Sequence, residues 1–216
     1  MARTTGRPAR GQETRELIVA TAERLFAEHG IAAVSNRQVS EAAGQANNFA
    51  VGYHFGTKAD LVRAIVRRHT RAMERRRVEM LDRADGSTDV RDWVACLVRP
   101  ATDHLAGLPA PTWYARCVAQ ADADPALRRV VVDEAIATPS MGRALDGLLR
   151  AVTDLPARVH RERADMCRVL IVHMLAERER ALHEGAAEPG VTWTTTGGDL
   201  VDAIVGLLLA PVTASA

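Results

Sequence analysis

Between Ser35 and Lys58 the chain reads Ser-Asn-Arg-Gln-Val-Ser-Glu-Ala-Ala-Gly-Gln-Ala-Asn-Asn-Phe-Ala-Val-Gly-Tyr-His-Phe-Gly-Thr-Lys. Two short helical segments flank a glycine, and aromatics lead into a further capped helix. Ser35-x-x-Gln38 is a capping box: each side chain satisfies a backbone amide at the helix start. Val39, Ala42 and Ala43 face inward and Gly44 makes the turn. A third helix is expected over about Ala46 to Val51 or Tyr53. This is the layout of a helix-turn-helix, whose second helix enters the major groove of DNA.

The flanking segments are helical too. Thr14 is expected to cap a first helix to about Glu28, with Ile18, Ala22, Leu25 and Phe26 on one stripe and Gly30 ending it. Residues 1–13 read as a Gly/Pro/Arg tail, with Arg3, Arg7 and Arg10 forming either a solvated terminus or a DNA-contacting arm. Thr57-x-x-Asp60 caps a fourth helix that runs on to about Ala84. Further helices are expected from Asp89 to Ala106, from Pro111 to about Ala121, after Asp124-Pro125 and after Thr138-Pro139. A long helix then runs from Asp154–Pro156 to about His183, residues 185–193 form a loop, and a last helix spans Thr194 to Leu209. The expected fold is all-α: a three-helix N-terminal domain over residues 1–60 and a larger helical domain over 61–216, nine to ten helices altogether.

Composition supports this. Hydrophobic residues make up 47% of the chain, enough for a real core, while aromatics are 4%, so that core must be mostly Ala, Val and Leu. Net charge is +1 overall, but residues 1–68 carry ten basic against six acidic side chains and the remainder 18 against 21. A basic front on a slightly acidic back suits a DNA-reading head on a body that stays off the duplex. Cys96, Cys117 and Cys167 show neither metal spacing nor a disulfide framework, which points to a reducing cytoplasm. The stretch from Ala203 to Pro211 is too short to span a bilayer, and the basic N-terminus is followed by no apolar run. No nucleophile motif, metal pair or phosphate-cradling loop stands out, so no catalytic residue, metal or cofactor is expected.

The residue types between Ser35 and Lys58 fit DNA chemistry. Asn47 and Asn48 suit base edges, since a side-chain amide pairs bidentately with adenine, and Gln45 can do likewise. Arg37 and the amides capped by Ser35 suit phosphate. Tyr53 and His54 can donate to phosphate oxygens; His54 reads equally as a structural histidine. Lys58, the one lysine of the chain, sits in the first helical turn, against the dipole's preference for an anion, and a phosphate beside it would reconcile the two. Phe49 is read as core in preference to a thymine-methyl contact.

These residues resemble the TetR family of transcriptional regulators. The resemblance is carried by Ala22-x-x-Leu25-Phe26-x-x-x-Gly30, then Val39-Ser-Glu-Ala-Ala43-Gly44, then Tyr53-His54-Phe55-Gly-x-Lys58-x-x-Leu61, over roughly residues 14–65. One departure stands out: Gly44 lies nine residues before Tyr53, about one more than the family's usual turn allows up to Phe55. The resemblance implies a homodimer on a double-stranded palindromic operator, with Tyr53 and Lys58 as backbone clamps and a small-molecule effector that releases DNA.

The body is read in the same light. Met166, Cys167, Val169, Leu170, Ile171, Val172, Met174 and Leu175 are apolar nearly all round their helix, as are Leu200, Val201, Ile204, Val205, Leu207, Leu208 and Leu209. The last two helices are therefore expected to form the dimer seam. Arg161, Glu162, Arg163, Glu177, Arg178, Glu179 and Arg180 read as solvated faces. Polar groups in apolar surroundings single out Trp93, His104, Trp113, Cys117, Met141 and His173 as the expected walls of a hydrophobic effector's site; plain core is the competing reading. A helical enzyme or interaction module with a coincidental N-terminal pattern is the alternative to a repressor.

Overall fold

The computed structural model describes residues 6–153 and 155–212, with side chains from residue 11 onward. The Arg3, Arg7 and Arg10 side chains of the basic arm, and Asp154, lie outside the described residues. The head comprises α1 (Gly6–His29), α2 (Asn36–Ala42) and α3 (Ala50–Phe55), and the long α4 (Lys58–Ala84) runs out of it into the body. There follow α5 (Val90–Ala106), α6 (Tyr114–Asp122), α7 (Pro125–Ile136), α8 (Pro139–Ala151), α9 (Ala157–His183) and α10 (Trp193–Leu209). No strand occurs among the described residues.

The capping chemistry sets most boundaries. Ser35, Thr57 and Thr192 each close a capping box, on Gln38, Asp60 and Thr195. Asp124 and Thr138 accept from the first amides of α7 and α8, with proline at the first helical position. Three starts differ from the sequence expectation. Helix α1 begins before Thr14, at Gly6, and a Gln12–Glu16 hydrogen bond of 2.8 Å braces its second turn. Helix α3 begins at Ala50, since Asn47 accepts the Phe49 amide and closes a side-chain turn ahead of it. Helix α6 begins at Tyr114, after a cis peptide at Ala110–Pro111.

Ile18, Ala22, Phe26, Val39, Val51, Phe55, Leu61 and Ile65 form the core of the head, and it is continuous with that of the body through Val66, Val98, Leu105 and Cys117. Helix α4 therefore crosses the boundary expected at residue 60 as one rigid element. In the body it is stitched by Arg77, which is 3% exposed. Its guanidinium donates to the Cys96 carbonyl and the Ser140 hydroxyl, with Glu74 3.6 Å away.

Two residues read as solvated are buried, each because it serves a helix end. The Arg163 guanidinium donates to the Leu208 and Ala210 carbonyls, both at 2.6 Å, at the C-terminus of α10. Glu179, 1% exposed, accepts the Ala115 and Arg116 amides at 3.3 and 2.9 Å, at the N-terminus of α6.

Candidate nucleic-acid interface

Helix α2 is seated by Ser35 and by Ser40. The Ser35 hydroxyl accepts the Gln38 backbone amide at 3.2 Å, and the Gln38 side-chain Oε1 accepts the Ser35 backbone amide at 2.8 Å. Ser40 is fully buried; its hydroxyl donates to the Asn36 carbonyl and accepts the Val51 amide, tying α2 to α3. Gly44, at φ 65°, lets the chain reverse between them. Sequence reasoning passed over Ser40; a serine one residue after the inward-facing Val39 was the available signal.

Helix α3 is then divided sharply. Ala50, Val51 and Phe55 are buried, while Phe49 and Tyr53, four residues apart, are 78% and 85% exposed. The expectation that Phe49 belongs to the core is therefore corrected. It stands at the N-cap position, outside the first turn, on the side of α3 opposite Val51. Gln45 donates to the Ala43 carbonyl at 2.9 Å, and Asn47 is engaged with the Phe49 amide. Asn47 and Asn48 are exposed in the turn ahead of α3 and are not on its helical surface. His54 is partly buried, with its ring edge-on to Tyr53.

Arg37 lies on the exposed side of α2 in a 2.7 Å ion pair with Glu41, which raises its pKa. Lys58 starts α4 and donates from Nζ to the Ile31 carbonyl at 2.8 Å. Asp60 closes the Thr57 cap, and hydrogen bonds from Thr57 lower its pKa. An anion is thus already present in the first turn of α4, which offsets the misfit of Lys58 with the helix dipole.

Where head meets body, a buried chain of polar groups joins four helices. Glu23 of α1 lies 2.8 Å from His69 Nε2 of α4, and His69 Nδ1 lies 2.7 Å from His104 Nε2 of α5. The Tyr114 ring of α6 stacks on His69 at 3.9 Å. Burial, and then the neighbouring His69, hold the His104 imidazole down to about 4. Burial likewise pushes the Tyr114 hydroxyl and the Cys117 thiol up, so neither ionises at neutral pH.

The six side chains expected to line an effector site are not gathered in one place. Trp93 packs with Leu81, Ala84, Cys96 and Ala144, its ring over Gly147. Cys117 lies in the main core. The Trp113 ring has the Arg116 guanidinium over it and the His183 ring tilted against it. Met141 is partly buried in the first turn of α8, and His173 is exposed on α9. His104 lines a cleft of about 660 Å³ between α4 and α5. A second cavity, of about 750 Å³, opens between the α5–α6 loop and the α9–α10 junction, and none of the six lines it. No group of three or more metal-ligating side chains occurs among the described residues. Nor is any helix among them long and apolar enough to cross a membrane.

A short helix that presents two aromatic rings and a polar turn to solvent, braced from behind by a capped helix, is a DNA-reading head. Together with a helical body it defines a DNA-binding transcriptional regulator. Residues 18–65 match the family described as bacterial regulatory proteins, tetR family. No curated protein matches it in sequence. Among solved structures it is similar to the multidrug binding protein EbrR complexed with imidazole, at 22% identity over 99% of this chain and 100% of that one, with a TM-score of 0.54. Two others are a TetR-family transcriptional regulator from Pectobacterium atrosepticum (27% identity, 97% and 100% covered, TM-score 0.40) and a gamma-butyrolactone receptor described as ArpA-like (20%, 92% and 83%, TM-score 0.35).

Proposed function

We propose that the chain is a homodimeric, cytoplasmic repressor that binds a palindromic operator through two copies of the head, residues 1–60, and is released by a small molecule bound to the body, residues 61–216. The observation that carries this reading is the outer side of α9. Met166, Val169 and Met174 are exposed there at helical spacing, and Leu209 of α10 is exposed as well. Apolar side chains in such a stripe are covered in a working protein, and a second copy related by a two-fold axis covers them while setting two heads at a fixed distance. One head alone makes too few contacts for tight specific binding; two reading half-sites about one helical turn or a small multiple apart supply them. On the DNA, Phe49 and Tyr53 lead into the groove, Asn47, Asn48 and Gln45 face base edges from the turn, and Ser35, Arg37, His54 and Lys58 meet phosphates. The body's two cavities fall in the size range of small-molecule sites, and a multidrug binding protein has the same fold.

The test pairs sedimentation with a gel shift on the DNA upstream of the gene. The wild type should sediment as a dimer at micromolar concentration and shift the upstream fragment in preference to random duplex. Met166→Asp should produce monomers and lose that preference. A wild type that stays monomeric and binds both duplexes alike would refute the proposal.

A further inference from the structure

The cavity between the α5–α6 loop and the α9–α10 junction has a mostly apolar wall, formed by Leu105, Leu108, Pro111, Leu182, Val191 and Trp193. Three ionisable side chains reach it: Arg178, Glu179 and His183. Glu179 is already engaged, with two α6 amides on its oxygens and the Arg116 Nε 3.5 Å away. Arg178 is not. One terminal nitrogen donates to the Val191 carbonyl, while its Nε is buried without a hydrogen-bond partner. No carboxylate pairs with it among the described residues. Arginine keeps its charge at any pH a folded protein meets, and a buried donor without an acceptor is unfavourable. The cavity therefore has an apolar wall and, in its lining, one guanidinium with no carboxylate paired to it.

We propose that this cavity binds an apolar molecule ending in a carboxylate or comparable anion, with the anion on Arg178 and the apolar part against Trp193, Pro111 and Leu182. The volume of about 750 Å³ suits a ligand of drug-like size. Because Glu179 is neutralised by its amides and by Arg116, the field left in the cavity favours an anion over a cation. The proposal rests on the reading of the chain as a ligand-responsive regulator and adds the site and the ligand's chemistry. It also gives the signal a route. The ligand's anion grips the residue next to Glu179, Glu179 fixes the first turn of α6, and α6 packs against α1 of the head.

Two dyes of similar shape test it: 1-anilinonaphthalene-8-sulfonate, which is anionic, and N-phenyl-1-naphthylamine, which is neutral. Both should quench tryptophan emission saturably in the full-length wild type, with Trp193→Phe removing most of the change. Arg178→Gln should weaken the anionic dye by about tenfold or more and the neutral dye by less than about twofold. Ala110→Phe, which fills the cavity from an exposed loop position, should weaken both. Circular dichroism of each variant reports that it is folded. Equal losses of the two dyes in Arg178→Gln, indifference to both substitutions, or no saturable quenching in the wild type would overturn the proposal. The titration uses no DNA, so its failure leaves the regulator reading standing. A protein that takes the anionic dye as expected but binds no duplex fails the regulator reading instead.

Discussion

Replacing His104 by glutamine should flatten the acid side of the stability profile. Burial, and then His69, hold the His104 imidazole down to about 4, against about 6.5 for a free histidine. Between those values the unfolded chain takes up a proton that the folded chain refuses, so stability falls as pH falls. The slope is at most one proton, about 1.4 kcal/mol per pH unit. Across the whole interval that amounts to roughly 3 kcal/mol, and about 2 kcal/mol after allowing for the part of the ring that solvent reaches. Above about pH 6.5 the contribution is complete and constant. Glutamine keeps an amide donor for His69 Nδ1 but cannot titrate. Urea unfolding, followed by circular dichroism at one fixed protein concentration, would measure both proteins from about pH 7.5 to about pH 4.5. Wild-type stability minus variant stability should be largest at the neutral end and shrink by about 2 kcal/mol at the acid end, because carboxylates common to both cancel. Parallel profiles would refute the reasoning, and the burial of His104 against His69 would have no energetic consequence.

Three further outcomes are expected. Lys58→Ala should weaken binding to upstream DNA and to random duplex alike and lower the salt slope by about one, measured by titration at several salt concentrations. Phe49→Ala and Tyr53→Ala should shift folding stability by less than about 0.5 kcal/mol, since both rings are exposed, yet weaken the preference for upstream DNA; unfolding curves and gel shifts separate the two effects. Gly147→Ala should destabilise by roughly 1–3 kcal/mol through overpacking. The added methyl would lie 2.2 Å from the Trp93 ring, and thermal unfolding reads the loss.

The elements were legible in the sequence wherever a cap marked them. Ser35, Thr57, Asp124 and Thr138 each combine a side-chain acceptor with a helix start, a local interaction that needs no tertiary context. Asn47 shows where local reading falls short. Its residue type suits a base edge, but nothing in its spacing announces that its Oδ1 accepts the Phe49 amide and closes a turn ahead of α3. Arg163 and Glu179 fail in the same way. Their spacing is that of a solvated face, but the ends of α10 and α6 arrive beside them from far along the chain. The body's cavity residues carried no local mark at all. Trp193 and Arg178 line one cavity from opposite sides of a loop, and nothing in their spacing announces it.

The unbroken course of α4 has a mechanical consequence. Arg77 anchors it to α5 and α8 through the Cys96 carbonyl and the Ser140 hydroxyl, while Lys58 begins it in the head, bonded to the Ile31 carbonyl. At about 1.5 Å of rise per residue, the arm between them is about 28 Å long. A swing of roughly 7° about that hinge would carry Lys58 by about 3.4 Å, the rise of one base-pair step. A tilt of α4 against the body, taken up by the Arg67–Glu134 and His69–His104 contacts along its length, is thereby geared up at the head end of the arm to a full step along the double helix.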